Sequence, residues 1–137
     1  MKRILIPTDF SVDSKHALDY MLNLLQETQI PSNILLLNTY MTQQKDALVD
    51  DQLKKKSKEG LTKAKEEALK GLLNPNISIE TASQMGTLNH VILQLLKKEK
   101  VDLVVMGKDG GKHVESVAAL LKKEQRPLLI TYLKKTS

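Results

Sequence analysis

Five short apolar runs alternate with four segments of helical periodicity along this chain of 137 residues. That alternation limits what it can fold into more than any other feature. The runs are 3-RILIP-7, 33-NILLLNTY-40, 77-ISIETAS-83, 102-DLVVMG-107 and 127-PLLITYL-133. Between them, 14-SKHALDYMLNLLQE-27 places Ala17, Leu18, Met21, Leu24 and Leu25 at helical spacing, with Ser11 or Asp13 as its cap. A long helix is predicted from about 50 to 72, with Leu53, Leu61, Ala64, Ala68 and Leu72 on one face, ended by Gly71 and Asn74-Pro75. The segment 87-TLNHVILQLLKKEK-100 turns Leu88, Val91, Ile92, Leu95 and Leu96 inward, and a last helix over about 114 to 124 does the same with Val114, Val117, Ala118 and Leu121. Strict β-α alternation with continuous apolar strands predicts an α/β fold, a parallel sheet covered on both faces. The third run alternates in polarity and is expected to be less deeply buried.

No low-complexity linker divides the chain, so residues 1–137 are expected to form one domain. There is no cysteine, which excludes disulfides and thiolate chemistry. The opening MKRILIPTDF turns polar too early for a secretory leader, and no apolar run approaches the roughly 18 residues of a membrane helix. A soluble cytoplasmic protein without membrane contact is expected. The net charge is +5, with much of the excess in 54-KKKSKEGLTKAKEEALK-70 and at the ends of the later helices. A basic balance can signal nucleic acid. Here, however, Arg3 and Arg126 are the only arginines, and three Tyr and one Phe the only aromatics. Base readout favours arginine forks and single-strand binding needs stacking platforms. The lysines read instead as a solvated helix face with Glu partners.

In a parallel sheet ligands sit beyond the carboxyl ends of the strands. That directs attention to Pro7–Ser11, Asn38–Met41 and Met106–Glu115. Asp9 just past the first strand has two open readings. It can meet a ligand, or, with Thr8 and Ser11, it can satisfy backbone groups at the turn into the helix. After the fourth strand, Gly107-x-x-Gly110-Gly111 precedes a helix. Glycines permit close backbone approach, and a helix N-terminus favours anions. The stretch is not a phosphate-binding Walker loop, because Lys112 and His113 stand where glycine and lysine are required. His16, His90 and His113 lie on separate elements without ligand spacing, His113 in the loop, so no metal site is expected. No nucleophile elbow and no convincing catalytic pair are found, and the chain is read as non-catalytic.

Taken together, 4-ILIPTDFS-11, Ala17-Leu18, Gly86, 102-DLVVMGKDG-110, 116-SVA-118 and 127-PLLIT-131 resemble the universal stress protein family nearly end to end. The resemblance implies a Rossmann-like five-stranded parallel sheet of order 3-2-1-4-5, and a homodimer paired through the last strand, 127–133. It also implies that some members bind ATP and others do not. The nucleotide-binding branch carries Gly-x2-Gly-x9-Gly-Ser/Thr after the fourth strand. Gly107 and Gly110 match its first half, but nine residues further the chain reads Leu120-Leu121. Aligned on the helix instead, Glu115-Ser116 replaces Gly-Ser and the loop is five residues short. A glutamate at about 4 Å from a phosphate charge repels it by roughly 4 kcal/mol at an effective dielectric near 20.

The expectation is therefore a stress-response module acting through dimerisation and protein contacts, with tight ATP binding lost. The alternative is an ATP/ADP-binding sensor, a slow ATPase in some forms, with Mg accompanying the nucleotide. If a nucleotide binds, the residues expected to hold it are Pro7, Thr8, Asp9, Asn38, Met106, Gly107, Gly110, Ser116 and Val117.

Overall fold

The computed structural model describes residues 2–41, 47–108 and 112–132. Its elements are β1 (Lys2–Pro7), α1 (Val12–Leu25), β2 (Ser32–Tyr40), α2 (Ala47–Lys70), β3 (Ile77–Met85), α3 (Leu88–Lys98), β4 (Leu103–Gly107), α4 (Lys112–Lys123) and β5 (Leu128–Thr131). The strands form one sheet of order β3-β2-β1-β4-β5, and each of its pairings is parallel. This is the order that the resemblance implied.

The two faces follow from the period of two along each strand. Ile4, Ile6, Ile34, Leu36, Ile77, Ile79 and Val105 point to one side, where Ala17, Leu18 and Met21 of α1 and Leu61 and Ala68 of α2 cover them. Leu5, Leu35, Leu37, Val104 and Met106 point to the other, under α3 and α4. Continuous apolar strands are what a sheet covered on both faces needs, and β3, at one edge, is the strand with the most exposed positions.

Three expectations shift. Leu24 is 61% exposed: it lies at the rim of the arc centred on Ser14, Met21 and Leu25, about 80° off centre at 100° per residue. α4 starts at Lys112, because neither Lys112 nor His113 breaks a helix, so His113 belongs to its first turn and not to a loop. β5 covers Leu128–Thr131 alone; Pro127 precedes the strand, Tyr132 follows it, and Leu133 lies outside the described residues.

A clamp closes the amino end of the sheet. The Arg3 guanidinium donates to Asn33 Oδ1 at 2.8 Å and pairs with Glu80 at 3.2 Å and Glu99 at 2.8 Å. Its backbone N–H donates to Asp102 Oδ2 at 2.8 Å. One residue of β1 thus ties β2, β3 and the α3–β4 connection. The carboxyl end carries no ion-paired clamp of this kind among the described residues; neutral hydrogen bonds tie the strands there.

Candidate functional site at the strand ends

β1 leaves the sheet at Pro7, and the chain must reverse within four residues to begin α1. Phe10 makes the reversal at a φ of 66°, in the left-handed region that a side chain enters at a cost of about 1–2 kcal/mol. Local hydrogen bonds offset that cost. Phe10 N–H donates to Thr8 Oγ1 at 3.0 Å, and Ser11 N–H donates to Asp9 Oδ1 at 2.9 Å. Ser11 caps α1 by accepting from Ser14 N–H at 3.2 Å, and Ser14 Oγ donates back to Asp9 Oδ1 at 2.7 Å. Partial burial pushes the Asp9 carboxyl up, but the bonds from Ser11 and Ser14 outweigh it and hold the group below its ordinary value of 3.8. Of the two readings open for Asp9, the turn-forming one is realised by its Oδ1.

Asn38, at the end of β2, is similarly engaged. Its amide N–H donates to Thr8 O at 2.7 Å, and its Oδ1 accepts from Ser57 Oγ of α2 at 2.6 Å. Ser57 Oγ in turn accepts from Ser83 Oγ of β3 at 2.7 Å. Asn38 and Ser57 are buried. The chain of bonds joins β1, β2, α2 and β3 at the point where the first three strands end.

On the other side of β1, Met106 and Gly107 end β4. Gly107 has no room for a side chain, because the first turn of α1 passes directly over it at Asp13. Across the sheet, Gly86 carries the chain from β3 into α3 at a φ of 135°, a conformation open to glycine and rarely to other residues. Thr87 then caps α3.

These ends enclose a small cleft of ≈ 200 Å³. Pro7, Thr8, Asp9, Asn38, Met106 and Gly107 all line it, so six of the anticipated residues converge. Ser116 does not: it lines a second, shallower depression of ≈ 500 Å³ that shares Thr39, Leu88 and His113 with the cleft. Its hydroxyl is bonded to the Asn89 amide of α3. Val117 is fully buried in the core under α4, so its side chain faces neither space. Gly110 lies outside the described residues. Glu115 is exposed in the first turn of α4 and lines neither the cleft nor the depression.

Ser14, Leu37 and Leu88 line the cleft from outside the segments the sequence singled out, whereas Thr39 and His113 fall within Asn38–Met41 and Met106–Glu115 without having been named as contacts. Ser14 was within reach, since it stands three positions after the capping Ser11, where a polar side chain turns back to the cap. Leu88 carried no local signal; tertiary packing alone brings it to the strand ends. Among the described residues no three His, Asp or Glu side chains group as a metal site. No described helix is long and apolar enough to cross a membrane.

Comparison with known proteins agrees with this architecture. No curated protein matches the sequence. Among solved structures, the hypothetical protein MJ0577 superposes with a TM-score of 0.77 at 21% identity, covering 98% of each chain. A universal stress protein in complex with cAMP superposes at 0.71 and 19%, over 97% of this chain and 98% of the other. A universal stress protein family protein from Arabidopsis thaliana with AMP bound superposes at 0.67 and 17%, over 98% and 93%. At these identities the likeness establishes the fold. The family model described as "Universal stress protein family" matches residues 1–121. By that match, over most of its length, the chain belongs to the universal stress protein family.

Proposed function

We propose that this chain is a non-catalytic universal-stress-type module, acting in stress response by dimerising and contacting other proteins, with tight ATP binding lost. One observation carries the reading: the polar groups at the strand ends are already bonded to protein. Asn38 is held by Thr8 and Ser57 and Asp9 by Ser11 and Ser14, while Ser116, in the adjoining depression, is held by Asn89. A nucleotide would have to compete with these bonds inside a cleft of ≈ 200 Å³, below the roughly 300–1,000 Å³ usual for small-molecule pockets. The short loop implied by the family pattern weakens a phosphate cradle in the same direction. The free edge of β5, with Leu128, Leu129 and Ile130 half-buried, is the surface for self-pairing.

Calorimetric titration with MgATP, on protein first checked for bound nucleotide, tests this. The reading expects no heat up to millimolar ATP and a dimeric mass in solution. Stoichiometric ATP or ADP in the purified protein would overturn it, and a monomeric mass would remove its dimer.

A second reading, a nucleotide-binding sensor, has its own support. The cleft runs into the ≈ 500 Å³ depression through shared residues, which gives a mononucleotide more room than the cleft alone. Two proteins of the same fold hold cAMP or AMP. On this reading Gly110→Asp abolishes nucleotide binding, and unchanged affinity in that variant counts against it.

A further inference from the structure

A concavity larger than the strand-end cleft lies beside it. It is a groove of ≈ 510 Å³ between α1 and α2, which shares Thr8 and Ser14 with the cleft and is otherwise lined by different residues. Its origin is visible in the packing. α1 lies over β1, β4 and β5, whereas α2 lies over β2 and β3, and the two helices barely touch. The space between them is floored by Leu18 and Leu36 and walled on the α2 side by Ala64 and Ala68. Phe10 closes the end nearest the turn. Its ring stands so close to Gly60 that a Cβ there would lie 2.5 Å from Phe10 Cζ.

The rim is charged. Lys15, Lys63 and Lys70 face Asp19 and Glu67. Lys15 and Glu67, on opposite helices, approach to 3.8 Å, an exposed pair weak enough to open. That leaves Lys63 and Lys70 against Asp19 around an apolar interior. The groove also falls within the size range of small-molecule pockets, which the strand-end cleft does not.

We propose that the α1–α2 groove is a ligand site separate from the strand-end cleft, taking a small amphipathic carboxylate with an alkyl or aryl body. The body lies on Leu18, Leu36, Ala64 and Ala68. The carboxylate sits at the rim with Lys63 and Lys15, displacing Glu67 from Lys15. An apolar body answers the floor, and a single negative charge answers the cationic excess of the rim.

Decanoate, titrated into the ¹⁵N-labelled protein and followed by amide shifts, tests the proposal. The expected result is saturable shifts centred on Phe10, Lys63, Ala64 and Ala68. Lys63→Glu should weaken binding by roughly tenfold, as one lost or reversed charge contact does. Ala64→Phe, at a half-buried position, should fill the groove and abolish binding. His113→Ala, in the cleft, should change nothing. Shifts that never saturate, that persist in Ala64→Phe, or that disappear in His113→Ala would overturn the groove as the site. Equal binding of decanol, or no effect of Lys63→Glu, would overturn the carboxylate as the ligand class.

Discussion

A Cβ placed on Gly107 would stand 2.7 Å from the carbonyl carbon of Asp13 and closer still to its oxygen. The glycine that ends β4 is therefore required by the first turn of α1, whatever the cleft holds. Backbone cannot swing aside as a side-chain tip can. Gly107→Ala is expected to destabilise the protein by about 1–3 kcal/mol, the usual range for overpacking. Urea unfolding measures this directly. Stability equal to the parent would mean that α1 can slide away from β4 at no cost.

Ser57 is the hinge of the buried chain between Asn38 and Ser83. Removing its hydroxyl leaves Asn38 Oδ1 without this donor in a buried place. Ser57→Ala is expected to cost about 1–3 kcal/mol, the penalty of an unsatisfied buried acceptor. Ser83→Ala, at a half-buried position where water can replace the lost partner, should cost less. The ratio of the two in denaturant unfolding checks the argument.

Asp9 gives a pH signature. Its carboxyl titrates below its ordinary value of 3.8 because Ser11 and Ser14 bond the ionised form more than burial penalises it. The depressed group thus contributes stability that is present above the unfolded-state pKa of about 3.9 and is lost as pH falls through the folded one. Asp9→Ala should be less stable than the parent at neutral pH. The gap should narrow in acid, below about pH 4. Thermal melts of both proteins from pH 7 to 3 would show the convergence; a constant gap would refute the linkage.

Arg3 predicts a substitution that charge alone does not rescue. Its fork reaches Asn33 from one nitrogen and Glu80 and Glu99 from another. A lysine ammonium is a point charge and cannot hold both sites in the same geometry. Arg3→Lys is expected to recover only part of the roughly 1–3 kcal/mol lost in Arg3→Met, most of which comes from Asn33, the buried partner. Because Glu80 and Glu99 are exposed, high salt should narrow the gap between the lysine and methionine variants.

The framework was legible because it is written locally. Apolar runs such as 33-NILLLNTY-40 fix a strand buried on both faces, Ser11 marks the start of α1, and helical spacing picks out Val91, Ile92 and Leu96. Strand order was not local information; it came from the resemblance. The site was legible by position, since Pro7, Thr8, Asp9, Asn38, Met106 and Gly107 do meet at one cleft. Its chemistry was not. Nothing near Asn38 in sequence tells that Ser57 on another element takes its oxygen. Nothing near Gly107 tells that Asp13 lies over it. Val117 has the periodicity of a core residue, and that reading prevailed over its place next to the serine. The Arg3 clamp and the α1–α2 groove depend on residues many positions apart, so periodicity could not reveal them.

β1 is the central strand of the sheet, although it is the earliest element of the chain. On the ribosome β2 can pair with it soon after emerging. Its other side waits for β4, because Ile4 finds its partner only at Leu103. Until Leu103 has emerged the nascent chain therefore presents Ile4, Leu5 and Ile6 along an open strand edge. Such an edge is a template for pairing with a neighbouring chain, and long-range strand pairing is slow. Folding of this protein is consequently most vulnerable during translation, before the fourth strand exists. Truncation before β4 should give aggregates, not a smaller soluble domain.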